Sequence, residues 1–116
     1  MTDFSRLGLA APLLHALTKL GYAHPTPIQT QAIPPIMAGR DLIGIAQTGT
    51  GKTAAFALPV LHYLTTHKRA APRNGCRVLV LSPTRELASQ IADSFRCLGA
   101  DLPLSIGVVF GGVPHG

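Results

Sequence analysis

The hydrophobic positions of the chain are spaced in two ways, at helical intervals in some segments and in short unbroken runs in others. The segment LLHALTKL, residues 13–20, repeats its leucines at helical intervals and carries Lys19 in its last turn. Gly21 follows this segment directly. A lysine near the end of a helix complements the helix dipole, and a glycine just beyond it accommodates the left-handed conformation that ends many helices. The pattern predicts a short amphipathic helix that ends at Gly21.

A second helix is predicted to begin at Thr26. The Thr26 side chain can cap the free N–H groups of the first turn, and Pro27 occupies the first helical position, where a missing N–H costs nothing. Pro34 and Pro35 lack the N–H groups that a helix interior needs, so they are expected to break this helix. A last short turn is then expected to run to Gly39.

Two longer helices are predicted further along the chain. The first, KTAAFALPVLHYL at residues 52–64, is typical of a buried helix and is expected to kink at Pro59. The second has Thr84 as its N-cap and Gly99 at its end. Its apolar residues share one stripe: Leu87, Ile91, Phe95 and Leu98. A stripe of this kind predicts a helix with one buried face.

Three unbroken apolar runs have the length of β-strands: DLIGIA at residues 41–46, RVLVLS at 77–82 and LSIGVVF at 104–110. Continuous apolar runs are typical of strands whose two faces are both covered. Strands that alternate with helices predict an α/β fold, a parallel sheet flanked by helices. Such folds bind ligands at the carboxyl ends of their strands.

Composition indicates one globular domain with a hydrophobic core, because the 116 residues are 47% hydrophobic and only 13% charged. Ten Lys and Arg against five Asp and Glu give a net charge of +5. This excess suits a polyanionic partner such as nucleic acid, although a scattered positive charge also simply keeps a protein in solution.

The two cysteines, Cys76 and Cys97, lie twenty-one positions apart with no histidine at metal-ligand spacing, and they indicate reduced thiols. The N-terminus lacks the basic head and apolar stretch of a signal peptide, and no apolar run approaches the length of a membrane span. We therefore expect a cytoplasmic protein.

A glycine-rich loop, AQTGTGKT at residues 46–53, follows the first apolar run. Gly49 and Gly51 permit backbone conformations in which successive N–H groups surround an anion. Lys52 can reach the β- and γ-phosphates of a nucleotide, and the Thr53 hydroxyl is suited to bind Mg²⁺. Ala46 stands where the general phosphate-loop pattern has its first glycine. The loop predicts a phosphate site formed by Gln47, Thr48, Gly49, Thr50, Gly51, Lys52 and Thr53.

The segment GYAHPTPIQ, residues 21–29, adds two side chains suited to an adenine base. Tyr22 can stack on a purine, and the Gln29 amide can donate one hydrogen bond to adenine and accept another. Alternatively, Tyr22 is a half-buried packing residue and Gln29 a solvated helix position. The residues alone leave both interpretations open.

The chain contains four motifs, and their sequences and order resemble those of the DEAD-box family of ATP-dependent RNA helicases, especially its bacterial RhlE-type members. Phe4 lies seventeen residues before GYAHPTPIQ, which is the spacing between an isolated aromatic residue and the Q motif of that family. AQTGTGKT matches motif I including its leading alanine, PTREL at residues 83–87 matches motif Ia, and Gly111 with Gly112 matches the GG element. The resemblance covers nearly the whole chain.

For the nucleotide, the resemblance implies that Tyr22 stacks on adenine and Gln29 reads its edge. It also implies that Thr26 supports this contact, that Phe4 packs nearby and that His24 lies beside the base. Residues 47–53 would wrap the phosphates of ATP, with Lys52 and Thr53 as catalytic residues and Thr53 as a ligand of Mg²⁺.

For RNA, the resemblance implies that Pro83, Thr84 and Arg85, with Gly111 and Gly112, face the sugar-phosphate backbone. Contacts of this kind do not depend on base sequence. Alternatively, Thr84 only caps its helix and Arg85 is a solvated charge.

The resemblance divides the chain into a Q-motif region, residues 1–30, and the first part of an ATP-binding RecA-like domain, residues 31–116. No D-E-A-D sequence occurs in the chain, and we therefore expect a front part of a longer protein that does not hydrolyse ATP by itself. The alternatives are another phosphate-loop enzyme, such as a small-molecule kinase or a GTPase, and a non-catalytic fragment that binds nucleotide or RNA.

Overall fold

The computed structural model describes residues 3–40, 42, 52–67, 75 and 77–108. These residues form a short 3-10 helix, Asp3–Leu7, and four α-helices. The α-helices are α1 Ala11–Lys19, α2 Pro27–Met37, α3 Lys52–Thr66 and α4 Arg85–Leu98. All four α-helices were expected from the sequence, α2 from its cap and the others from their apolar residues, whereas the 3-10 helix was not.

Helix α1 ends as its sequence predicts. Gly21 has a φ of +81°, and its N–H donates to the Thr18 carbonyl, while the next N–H, that of Tyr22, donates to the Leu17 carbonyl at 2.9 Å. This pair of bonds is a Schellman motif, which satisfies the last carbonyls of a helix and fixes the direction of the chain that follows. The turn at the end of α1 thereby determines where Tyr22 lies.

Helix α2 begins at Pro27 as predicted, but it does not break at Pro34 and Pro35. It continues to Met37 and ends in a second Schellman motif at Gly39, whose φ is +82°. The two prolines remove only the N–H groups that would bond to the carbonyls of Thr30 and Gln31. Both of those residues are exposed, so water can hydrate the carbonyls and the helix continues.

The hydrophobic core lies between the helices and is built around α3. Eleven buried residues form one cluster: Phe4, Leu9, Leu13, Leu17, Ile33, Ala54, Ala57, Leu58, Leu61, Phe95 and Leu98. Every helix contributes to this cluster, including the 3-10 helix through Phe4. Of the predicted stripe on α4, Phe95 and Leu98 are buried, Ile91 packs at the margin of the cluster, and Leu87 is exposed.

The predicted strands are not seen as strands in the described part of the chain. Residues 77–82 and 104–108 have no strand assignment, and most of the run 41–46 and residues 109–110 fall outside the described residues. A strand exists only as part of a hydrogen-bonded ladder, because its backbone groups need partners on a neighbouring strand. Leu79 is 74% exposed and Leu81 83%, so the second run lacks cover in this structure.

Residues 101–108 nevertheless retain the two-residue period of a strand. Exposed and half-buried residues alternate along this segment, and Leu104 and Ile106 pack against the core cluster. The side chain of Asp101 at its start bonds to His15 of α1, with 2.8 Å between Oδ2 and Nδ1. The segment therefore joins α1 to the end of α4. None of the described helices is long and apolar enough to cross a membrane.

Candidate nucleotide site

The first component of the site is a pair of aromatic rings that connects the 3-10 helix with the end of α1. Phe4 is completely buried, and its ring centre lies 6.3 Å from that of Tyr22, with an angle of 51° between the rings. Tilted pairs at this distance are a favourable arrangement of aromatic rings. Tyr22 is 38% exposed, so part of its ring remains available for stacking on a ligand.

The second component is the first turn of α2, where Thr26 and Gln29 form a capping box. The Gln29 backbone N–H donates to Thr26 Oγ1 at 3.4 Å, and the Thr26 backbone N–H donates to Gln29 Oε1 at 2.9 Å. The Gln29 residue is only 1% exposed, so its interpretation as a solvated helix position is wrong. His24, two residues before the cap, is exposed.

The third component is the beginning of α3. Lys52 and Thr53 occupy its first two positions, with Lys52 exposed and Thr53 half-buried. The free N–H groups of a helix start and the positive end of its dipole attract anions, and the Lys52 ammonium adds a full positive charge. A phosphate group is the ligand that suits this end of α3.

One cavity of about 650 Å³ brings two of these components together. Its wall contains Tyr22 from the end of α1 and both Lys52 and Thr53 from α3. A cavity of this size falls in the range that holds small-molecule ligands and cofactors. A ligand in this cavity can therefore place an aromatic base against Tyr22 and a phosphate chain against Lys52 and Thr53 at the same time.

Some predicted site residues lie outside the described residues. These are Gln47, Thr48, Gly49, Thr50 and Gly51 of the glycine-rich loop, together with Gly111 and Gly112. Thr53 is described, but the described residues contain no group of three or more His, Cys, Asp or Glu side chains that could hold a metal ion.

The predicted RNA-contacting residues Pro83, Thr84 and Arg85 are all exposed at the start of α4. Thr84 is the N-cap, because its Oγ1 accepts the Leu87 N–H at 3.1 Å. The capping function expected from the sequence is thus confirmed. Capping uses the hydroxyl oxygen only as an acceptor, so the Thr84 O–H is still able to donate to a phosphate.

Two features of the site were not predicted from the sequence. One wall of the cavity is the side of α4 that carries Gln90, Asp93, Ser94 and Cys97; Cys97 is exposed and has a free thiol. In addition, the Ala10 N–H donates to His62 Nδ1 at 3.0 Å, which joins α3 to the start of α1 across 52 positions of sequence. Neither feature has a motif, because both depend on how distant helices pack.

Comparison with known proteins identifies the family. The family profile described as DEAD/DEAH box helicase matches residues 26–115. The chain belongs to this family. DEAD-box ATP-dependent RNA helicase 36 of Arabidopsis thaliana is 50% identical over 97% of the chain, and the ATP-dependent RNA helicase DeaD of Klebsiella pneumoniae is 54% identical over 80% of it. The chain covers 22% and 14% of the lengths of these two relatives.

Solved structures of DEAD-box helicases have the same chain path. The RNA helicase Prp28 of Chaetomium thermophilum, crystallised with ADP, superposes with a TM-score of 0.83 at 41% identity, over 98% of this chain and 28% of that protein. A DEAD-box protein of Methanococcus jannaschii gives a TM-score of 0.82 at 34% identity, over 98% of this chain and 30% of that one. Family membership favours the helicase interpretation over a small-molecule kinase or a GTPase.

Proposed function

We propose that the chain forms the amino-terminal part of the first RecA-like domain of an ATP-dependent RNA helicase. In the complete protein, ATP binding and hydrolysis would be coupled to local unwinding of RNA duplexes. The observation that carries this proposal is the shared cavity, which is lined by Tyr22 on one element and by Lys52 and Thr53 on another. Such a cavity suits a ligand that carries both a base and a polyphosphate chain. The related Prp28 is a helicase that was crystallised with ADP.

Two residues would contact the adenine base in this proposal, and two others would support them. Tyr22 would stack on the ring, and Phe4 would support Tyr22 from the core. The Gln29 amide NH₂ would donate to adenine, while Gln29 Oε1 has a second lone pair that can accept a hydrogen bond from adenine. Thr26 would hold that amide in orientation through the capping box.

Phosphate binding would come from residues 47–53, with Lys52 and Thr53 as the catalytic residues. Lys52 would neutralise charge on the terminal phosphates and hold them in position. Mg²⁺ would supply further charge neutralisation on the phosphate oxygens, and the Thr53 hydroxyl would be its ligand from this chain. The half-buried position of Thr53 next to the exposed Lys52 supports this division of roles.

RNA would lie against Pro83, Thr84 and Arg85 and against Gly111 and Gly112. The exposed start of α4 provides free N–H groups, one hydroxyl and one guanidinium, which suit phosphate and sugar oxygens and not base edges. We therefore propose backbone contacts that do not depend on base sequence. The net charge of +5 agrees with a polyanionic partner.

Three finer points belong to the same proposal. The segments 41–46, 77–82 and 104–110 would be strands of one parallel sheet in the complete domain, with a further strand between 41–46 and the other two, and this sheet would cover Leu79 and Leu81. The protein would belong to the bacterial RhlE-type group, whose motif I and Q motif its own resemble. It would act in the cytoplasm.

The decisive experiment measures RNA-stimulated ATP hydrolysis by the full-length protein. Lys52→Ala should abolish most of the activity and leave RNA binding without nucleotide unchanged. Lys19→Ala is the matched control, because it removes an exposed lysine from α1, outside the cavity. Full turnover by the Lys52→Ala protein would overturn the proposal.

Base preference is tested with a substitution that keeps the capping box. Gln29→Glu retains an oxygen acceptor for the Thr26 N–H, since glutamate serves at this position of a capping box as well as glutamine. It removes the NH₂ donor that adenine needs. ATP should compete with a labelled nucleotide far better than GTP on the unmodified protein, and this preference should fall in Gln29→Glu. Equal competition by the two nucleotides on the unmodified protein would favour a different phosphate-loop enzyme.

A further inference from the structure

Helix α1 begins without a side-chain cap of its own. Its N-cap residue is Ala10, which has no polar side chain, and the Ala10 carbonyl accepts the N–H groups of Leu13 and Leu14. The Ala10 N–H donates instead to Nδ1 of His62, at 3.0 Å in a partly buried position. A histidine on α3 therefore fixes the first residue of a different helix.

This bond joins the two helices that hold the ends of the proposed nucleotide. Lys52 and Thr53 lie at the start of α3, and His62 follows Lys52 by ten residues, which is about 15 Å along a helix. On the other side, Ala10 begins α1, and the Schellman motif at the end of α1 fixes Tyr22. Because α1 is a rigid element between Ala10 and Tyr22, a displacement at Ala10 would be transmitted to the Tyr22 ring.

Apolar packing alone does not determine the position of α1 along the axis of α3. Leu13 and Leu17 of α1 lie in the same core cluster as Leu58 and Leu61 of α3. Contacts between leucines are not directional, so they tolerate small shifts of one helix along another. A hydrogen bond to a ring nitrogen is directional, and it selects one of these positions.

We propose that His62 is a positioning residue for ATP, and that its Nδ1 sets the distance between the base-binding Tyr22 and the phosphate-binding Lys52. The inference rests on the proposed function, since it concerns the same cavity. His62 does not line that cavity, and so it would act through α1 and not by touching the nucleotide. The bond requires a neutral imidazole with its proton on Nε2, because Nδ1 must keep its lone pair to accept the N–H.

The test compares His62→Leu with His62→Gln in the full-length protein. Leucine cannot accept the Ala10 N–H, whereas a glutamine carbonyl can accept it without being titratable. One hydrogen bond contributes at most about 1.5 kcal/mol, so His62→Leu should raise the KM for ATP by up to about 13-fold. The inhibition constant of tripolyphosphate, which has no base, should stay the same, and His62→Gln should restore the KM for ATP.

A matched control separates positioning from a general effect of removing a histidine from this region. His67→Leu removes a histidine that lies directly after α3 and lines a small cavity of about 280 Å³ together with His62, and it should leave the KM for ATP unchanged. If His62→Leu fails to fold, His62→Met supplies the same comparison, because a thioether is only a weak hydrogen-bond acceptor. An unchanged KM in the folded His62→Leu or His62→Met protein, or an equal loss for ATP and tripolyphosphate, would overturn the inference. Loss of activity in Lys52→Ala would still support the proposed function in that case.

Discussion

Thr26 and Gln29 hold each other through two reciprocal hydrogen bonds in the first turn of α2. The Thr26 N–H donates to Gln29 Oε1 at 2.9 Å, and the Gln29 N–H donates to Thr26 Oγ1 at 3.4 Å. The amide that is expected to read adenine is thus oriented by the helix start itself before any ligand binds. Preorganisation of this kind reduces the entropy that a binding site loses when it closes on its ligand.

Thr26→Ala should weaken both the fold and the binding of ATP. Loss of an N-cap side chain costs about 0.5–2 kcal/mol of unfolding free energy, and it also leaves the Gln29 amide less well oriented. Urea unfolding and the KM for ATP of the full-length protein measure the two effects. Thr30→Ala makes the same substitution at an exposed position of the same helix and should change neither quantity by more than a small amount. Equal effects of the two substitutions would contradict the role given to the capping box.

The sequence was sufficient to predict the helices and the turns that position Tyr22 and Gln29. Thr26, Pro27 and Gly21 act within a few residues of themselves, so their local chemistry is visible in the sequence. The prediction at Pro34 and Pro35 was wrong because two prolines cost little where the carbonyls they release face water. The bond between His62 and Ala10 could not be predicted, since it depends on how helices 52 residues apart in sequence pack.

The strands show a different limit of sequence-based prediction. Residues 77–82 carry an apolar run that is typical of a buried strand, yet a strand also needs backbone partners that no local pattern provides. Leu79 and Leu81 are exposed in the described structure, and the chain covers only about a fifth of its relatives' length. Residues 101–108, by contrast, alternate between exposed and half-buried positions, although both faces of a strand were expected to be covered, because only Leu104 and Ile106 pack against the core cluster.

Tyr22→Ala should reduce the affinity for ATP, and loss of the contact with Phe4 should also lower the stability by about 0.5–1.5 kcal/mol. Tyr22 is 38% exposed, and stacking of a base on an aromatic ring contributes about 1–3 kcal/mol, which corresponds to a loss of roughly 5- to 150-fold. Tyr63→Ala is the matched control, because Tyr63 is 45% exposed and lines the other cavity. Isothermal titration with a non-hydrolysable ATP analogue measures the difference. Equal losses in the two variants would show that Tyr22 has no special contact with the base.

Acid stability should depend on the contact between His15 and Asp101. The hydrogen bond from His15 holds the pKa of Asp101 below its ordinary value of 3.8, with a smaller contribution from the positive charge of Lys19. A carboxyl group with a lowered pKa in the folded state stabilises the protein above the unfolded value, and this contribution is lost as the pH falls below about 3.8 through the folded value. Removing the carboxylate should therefore lower the urea midpoint at pH 6 and leave it unchanged at the lowest pH.

Urea midpoints of Asp101→Asn, His15→Leu and the double variant between pH 6 and pH 2.5 test this contact. Each single substitution should reduce the dependence of the midpoint on pH, and the double variant should add little to either one, because both remove the same interaction. Both side chains are substantially exposed, so the effect should also decrease in high salt. Strictly additive effects at every pH would show that the two residues act independently.

Gly99→Ala should destabilise the protein because a methyl group at this position would make contacts that are too tight. Gly99 follows the last residue of α4 with an ordinary φ of −99°, so the requirement is one of space and not of backbone conformation. A Cβ atom there would lie 3.0 Å from the Phe95 carbonyl oxygen and 3.2 Å from Leu61 Cδ2. The carbonyl belongs to the helix backbone and Leu61 is buried in the core, so neither moves freely, and overpacking of this kind costs about 1–3 kcal/mol.

At Gly107, where a Cβ would meet nothing within 4 Å, the same substitution should be neutral or slightly stabilising, because alanine restricts the unfolded chain. Thermal and urea unfolding of the two variants measure the difference, and a Gly99→Ala protein as stable as Gly107→Ala would show that the contact between α3 and the end of α4 is looser than the structure indicates.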